Sequence, residues 1–243
     1  MKILDAFSVI GIPGLGGTEP GFLLEEMRKN GVEKSVIVPY DRRVAVDNAE
    51  ANQYILDTVY KYPDSFIGFA TVNPWYGERA AAMLREAFLS GLKGVYFKST
   101  VQGFMPDDEM LYPLLDICAE YGAPAFFHTG TPVNALPFTV MSQAKRYPSV
   151  NFILGHMGAN DYVGDAFAAA QLCDNIYLET SLNLTALIKS AANILPNRVI
   201  FGSGSPRSVM EFELKKTREA VSDKATLEKI LSGNLTRVLG GRP

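Results

Sequence analysis

Two histidines make up the whole imidazole content of this 243-residue chain, and each closes an apolar run: His128 in APAFFHTG and His156 in NFILGHMG. A neutral imidazole suits proton transfer or metal ligation near pH 7. Two such residues, each at the end of a short β-type run and each followed within two residues by glycine, point to a shared site. Lys98 (VYFKS) and Glu179 (YLETS) end comparable runs, and Arg207 follows the turn FGSGSP. Lys98 and Arg207 are candidate partners for an anion, and Glu179 is a third candidate contact for a ligand.

The runs that carry these residues recur along the chain: 3–9, 34–39, 66–72, 92–97, 123–128, 151–156, 175–180 and 197–203. Each is short, rich in β-branched or aromatic residues and bounded by Gly, Pro or Asn, as buried parallel strands are. Between them lie helical patterns at 21–30, 48–61, 77–90, 107–122, 161–172, 183–193 and 206–220. The clearest is DDEMLYPLLDICAEYG, with acidic residues at its start, Gly122 at its stop and Pro113 in its first turns. TPVNALPF, within 129–150, reads as a long loop before a short helix.

Strands alternating with helices over about 250 residues predict an α/β chain, a single (β/α)8 TIM barrel over 1–243, with a doubly wound open sheet as the competing arrangement. Active sites of such barrels lie at the C-terminal ends of the strands. That rule nominates Phe7 and Val9, 40–42, Asn73, Lys98, His128, His156, Glu179 and 203–207. On strand one, alternation puts Asp5, Phe7 and Val9 on one face.

Composition excludes several classes. Hydrophobic residues are 47% and charged residues 20%, with a formal net charge of −3. The basic residues are scattered, so no nucleic-acid partner is expected, and no apolar stretch reaches the roughly 18 residues of a membrane span. No basic segment precedes a long apolar run at the N-terminus, and Cys118 and Cys173 read as free core thiols; both make the cytoplasm the expected location. GIPGLGGTEPG (11–21) lacks the dinucleotide and Walker spacings and reads as a rim or lid over the barrel mouth. Ser203 and Ser205 do not form a Gly-x-Ser-x-Gly elbow.

YGAPAFFHTG, NFILGHMG, IYLETS and RVIFGSGSP, with KILDAFSVIG and the GLKGVYFKST…AEYG block before them, resemble successive blocks of the amidohydrolase superfamily. The branch they resemble is that of amidohydrolase-related proteins similar to aminocarboxymuconate-semialdehyde decarboxylase. The resemblance implies a barrel holding one divalent metal, typically zinc. Its ligands would be a His-x-His pair on strand one, a His ending strand five and an Asp ending strand eight, and a His ending strand six would handle the water. His128 matches the strand-five ligand and His156 the strand-six acid/base. The strand-one pair reads Phe7 and Val9 here, and the strand-eight Asp reads Gly204. Three of the four ligand positions therefore offer no donor atom, whereas a catalytic zinc needs about three protein ligands.

No cofactor is expected on this reading, and His128 would ligate only if a metal is bound at all. His128, Glu179 and Asp5 form a conceivable displaced metal set. Two readings of function stay open. One is a metal-independent hydrolase or decarboxylase-like carbon–carbon lyase acting on a small anionic organic acid or lactone. It would use His156 and His128 catalytically, and Lys98, Arg207, Glu179, Phe7, Val9 and Gly204 around the ligand. The other is an inactive amidohydrolase-like barrel that binds a ligand, carboxylate by preference, or a partner. A homodimer fits such a barrel.

Overall fold

The computed structural model describes residues 1–130 and 135–240. Eight strands run in sequence order: β1 (Leu4–Ile10), β2 (Lys34–Pro39), β3 (Phe66–Ala70), β4 (Gly94–Phe97), β5 (Ala125–His128), β6 (Phe152–Gly155), β7 (Ile176–Glu179) and β8 (Val199–Ile200). All neighbouring pairs are parallel. The chain closes on itself where Ala6 N–H donates to Phe201 O (2.9 Å), Val9 N–H to Ser205 O (2.7 Å) and Gly204 N–H to Phe7 O (3.0 Å). This is a (β/α)8 barrel, as the strand–helix alternation predicts. The expected loop over TPVN (131–134) lies outside the described residues. Its following helix is Pro137–Arg146.

Strand alternation sorts the core into two layers. Val36, Val38, Ile67, Phe69, Tyr96, Phe126, Ile153, Tyr177 and Ile200 fill the barrel. Their neighbours in sequence, such as Ile37, Val95, Phe97, Phe127, Leu154 and Leu178, pack against the helices. Both faces are apolar, which is why the strands read as continuous hydrophobic runs rather than alternating ones.

Strand β1 departs from the expected alternation. Its pairing with β2 shifts register between Asp5 and Ser8, so a bulge inserts one residue. Phe7 and Val9 pack with Leu4 and Ala6 in the barrel interior. Asp5 is not on their face: its carboxylate accepts from Phe7 N–H (3.1 Å), Ser8 Oγ (2.7 Å), Ser35 Oγ (2.9 Å), Ser203 N–H (2.7 Å) and Ser203 Oγ (2.7 Å). Asp5 therefore pins β1 to β2 and to the chain just after β8. Burial raises its pKa, against the pull of these donors. A displaced metal set that includes Asp5 is contradicted by this arrangement, because the carboxylate is already saturated by five protein donors.

Cys118 and Cys173 are both buried and free. Among the described residues no helix is long and apolar enough to cross a membrane.

Candidate active site at the mouth of the barrel

His128 is the last residue of β5 and falls on the interior side by simple alternation after Phe126. His156 follows β6, and alternation from Ile153 would aim it outward. A left-handed backbone (φ 61°) turns it back, and Met157 (φ 47°) and Ala159 (φ 51°) continue the turn. Non-glycine residues in this region are uncommon and mark a conformation imposed by their surroundings. Here Asn183 Nδ2 holds the carbonyl of His156 at 2.6 Å, and the His156 N–H donates to Glu179 Oε2 at 2.9 Å.

The two rings meet edge to face, with centroids 4.5 Å apart, and His156 Nε2 lies 3.0 Å from His128 Nδ1. On its other side, His156 Nδ1 lies 2.7 Å from Ser181 Oγ, whose hydroxyl donates to Glu179 Oε2 at 2.9 Å. Glu179 also takes the Ser181 N–H on Oε1 at 2.6 Å. Its pKa is pushed up to about 7 by burial, against these three donors. Gly202 is required beside it, since a Cβ there would stand 2.0 Å from Glu179 Oε1.

With Glu179 ionised and accepting the Ser181 hydroxyl, one consistent set of protons follows. With the Ser181 hydroxyl given to Glu179, Ser181 Oγ accepts from His156 Nδ1–H. His156 Nε2 is then bare and accepts from His128 Nδ1–H, which leaves His128 Nε2 as the bare nitrogen. That nitrogen has no hydrogen-bond partner among the described residues, and His128 is half-buried where His156 is 2% exposed. Burial holds both imidazoles neutral, with His156 pushed down to about 3 and His128 well below its ordinary value. Lys98 and Arg207 act in the same direction on both.

Lys98, at the end of β4, is buried, and its ammonium lies 2.7 Å from each carboxylate oxygen of Asp41. Arg207, after β8, reaches the same carboxylate at 3.0 Å. Two cations thus share one anion across the ends of three strands. Phe7 stacks on Phe126 (5.0 Å) and meets the edge of His156 (5.4 Å), so it forms the floor under the imidazoles with Tyr96.

Several nominated residues have structural partners in the fold. Glu179 is fully buried, with its carboxylate taken up by the His156 N–H and by the Ser181 N–H and hydroxyl, so it backs His156. Val9 is core, Gly204 ties β8 to β1 through its N–H, and Ser203 serves Asp5. Asn73 caps the Pro74–Tyr76 turn and bonds Ala45 O at 2.8 Å. Sequence reading passed over Ser181, Asn183 and the pairing role of Asp41. The first had a signal, since Ser181 stands two residues beyond Glu179 on the same face of the β7 line.

The family model described as Amidohydrolase matches residues 16–241. The chain belongs to the amidohydrolase family. Among curated relatives of this amidohydrolase barrel is 2-amino-3-carboxymuconate-6-semialdehyde decarboxylase of Dictyostelium discoideum, 29% identical over 120 residues. That stretch takes in 45% of this chain and 33% of the relative's length. Among solved structures, 5-carboxyvanillate decarboxylase LigW from Sphingomonas paucimobilis superposes with a TM-score of 0.81 at 16% identity, covering 98% of this chain and 99% of that one. A dihydroxybenzoic acid decarboxylase from a Polaromonas species, with bound manganese and the inhibitor 2-nitroresorcinol, gives 0.77 at 17% identity, covering 100% and 98%. At these identities the likenesses speak for the fold.

Manganese in the Polaromonas protein raises the question of a metal in this amidohydrolase barrel. Among the described residues no group of three or more His, Cys, Asp or Glu is arranged to hold a metal ion. The mouth offers His128, already bonded through Nδ1 to His156, and the positions Phe7, Val9 and Gly204 carry no side-chain donor atom. Among the described residues, the donor atoms at the mouth do not make up a set that fits a divalent metal.

Proposed function

We propose that this barrel is a metal-independent enzyme that uses His128 as a general base on a small organic carboxylate. The observation that carries the reading is the Glu179–Ser181–His156–His128 chain, which ends in an imidazole nitrogen without a hydrogen-bond partner among the described residues, within electrostatic reach of Lys98 and Arg207. The catalytic role moves from His156, whose ring nitrogens are both bonded within the protein, to His128. His156 then acts as a positioning residue: it fixes the His128 tautomer and accepts hydrogen-bond density when His128 becomes charged.

In lactone hydrolysis, His128 Nε2 would take a proton from the attacking water. Lys98 and Arg207 would stabilise the oxyanion formed on the carbonyl oxygen, and the proton would return to the leaving alkoxide. In decarboxylation, His128 would first take the proton of a substrate hydroxyl and then deliver it to the carbon that loses CO2. Both reactions place negative charge next to the same cations. The decarboxylase names among the relatives add weight to the second.

A second reading, a barrel that binds its ligand without transforming it, is favoured by Asp41 already neutralising Lys98 and Arg207. Chelator-treated protein incubated with hydroxybenzoates and with aryl lactones, followed by product mass spectrometry, separates the two. Turnover that survives chelation and is lost in His128→Gln supports the enzyme. Binding of panel members without any product, in wild type and variant alike, supports the second reading.

A further inference from the structure

A cavity of about 640 Å³ lies beneath the 11–19 loop and next to the mouth. The loop is folded back onto β1 by Gly11 N–H to Thr18 O (2.9 Å) and Thr18 N–H to Val9 O (3.1 Å). Pro13, Gly16, Phe22 and Pro206 give the cavity an apolar wall, and Arg207 and Glu19 are its charged lining residues. Phe22 is 55% exposed and presents its ring to this cavity. The volume falls in the range of small-molecule sites, which are mostly apolar with a few placed polar groups.

Arg207 belongs to this cavity and to the mouth at once. Among the described residues its guanidinium makes one hydrogen bond, from Nη2 to Asp41 Oδ2, while a guanidinium carries five N–H donors. Asp41 is 41% exposed on its side chain, whereas Lys98 beneath it is 5% exposed. An exposed carboxylate thus sits on a buried ammonium and a half-exposed guanidinium, which is where an incoming carboxylate would find its best partners. Glu19, which also lines the cavity, would repel a second negative charge on the ligand.

We propose that the cavity beneath the 11–19 loop receives the apolar body of a monocarboxylate, whose carboxylate takes the place of Asp41 on Arg207 and Lys98. Asp41 is then an internal competitor that keeps the two cations paired until a ligand arrives. The proposal rests on the reading above only in calling this ligand the substrate; the binding itself is independent of any turnover.

Calorimetric titration of the full chain with straight-chain carboxylates from acetate to octanoate, and with the matching primary alcohols, tests it. Affinity should rise about fourfold per added methylene until the cavity is filled, and alcohols should bind about tenfold more weakly or worse. Asp41→Asn should tighten octanoate about tenfold, and Arg207→Gln, at a half-exposed position that the fold does not need, should weaken it about tenfold. Phe22→Ala should flatten the dependence on chain length. Affinity independent of length, parity of acids and alcohols, or an unchanged or weaker Asp41→Asn would overturn the proposal. Should Asp41→Asn fail to fold, the Arg207→Gln and Phe22→Ala arms decide. Octanoate binding without turnover of any panel substrate would sink the catalytic reading alone, and turnover without octanoate binding would sink this one alone.

Discussion

Glu179→Gln replaces one oxygen by an amide nitrogen of nearly equal size and should reverse the polarity of the whole hydrogen-bonded chain. Oε1 faces the Ser181 N–H and Oε2 faces the His156 N–H and the Ser181 hydroxyl. With the amide oxygen on the Ser181 N–H, the NH2 donates to Ser181 Oγ, and the hydroxyl must turn toward His156 Nδ1. His156 becomes the Nε2–H tautomer, His128 Nδ1 becomes the acceptor, and His128 Nε2 changes from a bare base into a donor. One cost is the His156 N–H, left against an NH2, at about 1–3 kcal/mol for a buried unpaired donor. In return, the variant sheds the burden of ionising a buried carboxylate. A folded-state pKa of about 7 against an ordinary 4.5 is worth about 3 kcal/mol at pH 8. Because the folded pKa is raised, the folded state holds the proton more tightly, so this group favours the fold at acid pH. That contribution is lost as pH rises from about 4.5 through about 7. Urea unfolding from pH 4.5 to 8 should therefore show the wild type losing stability relative to Glu179→Gln across this window, with the two close to equal near pH 8. Nitrogen-15 spectra should report inverted tautomers for both histidines, together with loss of any turnover. Unchanged tautomers in the variant would refute the proton assignment from which all this follows.

Other outcomes follow from the same geometry. His156, with a folded pKa of about 3, contributes stability that is complete above pH 6.5 and lost as pH falls toward 3; an NMR titration should find its ring neutral down to about pH 4. Gly202→Ala forces a methyl onto Glu179 Oε1 and should cost more than about 2 kcal/mol in thermal or urea unfolding while disturbing His156 signals. Asp5→Ala removes the shared acceptor of five donors, leaving the Phe7 and Ser203 N–H groups without it and the three hydroxyls only longer bonds, and should destabilise by at least about 3 kcal/mol, or prevent folding; a drop below about 1 kcal/mol would show that the seam is held elsewhere. Untagged protein should carry far less than one metal per chain by elemental analysis, with the same melting temperature in chelator; stoichiometric zinc or manganese would overturn the metal-independent reading.

Much of the barrel could be read from residue order, because a parallel sheet covered on both faces leaves uninterrupted apolar runs that end abruptly at the polar mouth. Those ends gave Lys98, His128, His156 and Glu179 their places. What could not be read was anything set by the backbone rather than by residue type. The β1 bulge shifts parity between Asp5 and Phe7, and nothing in LDAFSVI distinguishes a bulged strand from a regular one. The left-handed turn at His156 reverses which way its ring points, and only the glycine at 158 hints at it. Asp41 meets Lys98 and Arg207 across the barrel, a contact between three separate strand ends that no local pattern announces. Alternation counted along each run therefore brought these residues to one end of the barrel, and missed the directions that the bulge and the left-handed turn impose.

The floor made by Phe7, Tyr96 and Phe126 has a consequence for what can happen above it. Glu179, Ser181 and His156 are buried behind it, so among the described residues the hydrogen-bonded chain opens only at His128 Nε2. A proton that enters there has no second exit and must go back out the way it came. On the proposed function, the site would hand a proton from one atom of its ligand to another, or from a water to a leaving group, and would end each cycle with the inventory it began with. Hydrogen label carried into the mouth by the ligand would then reappear in the product to the extent that His128 outruns exchange with solvent.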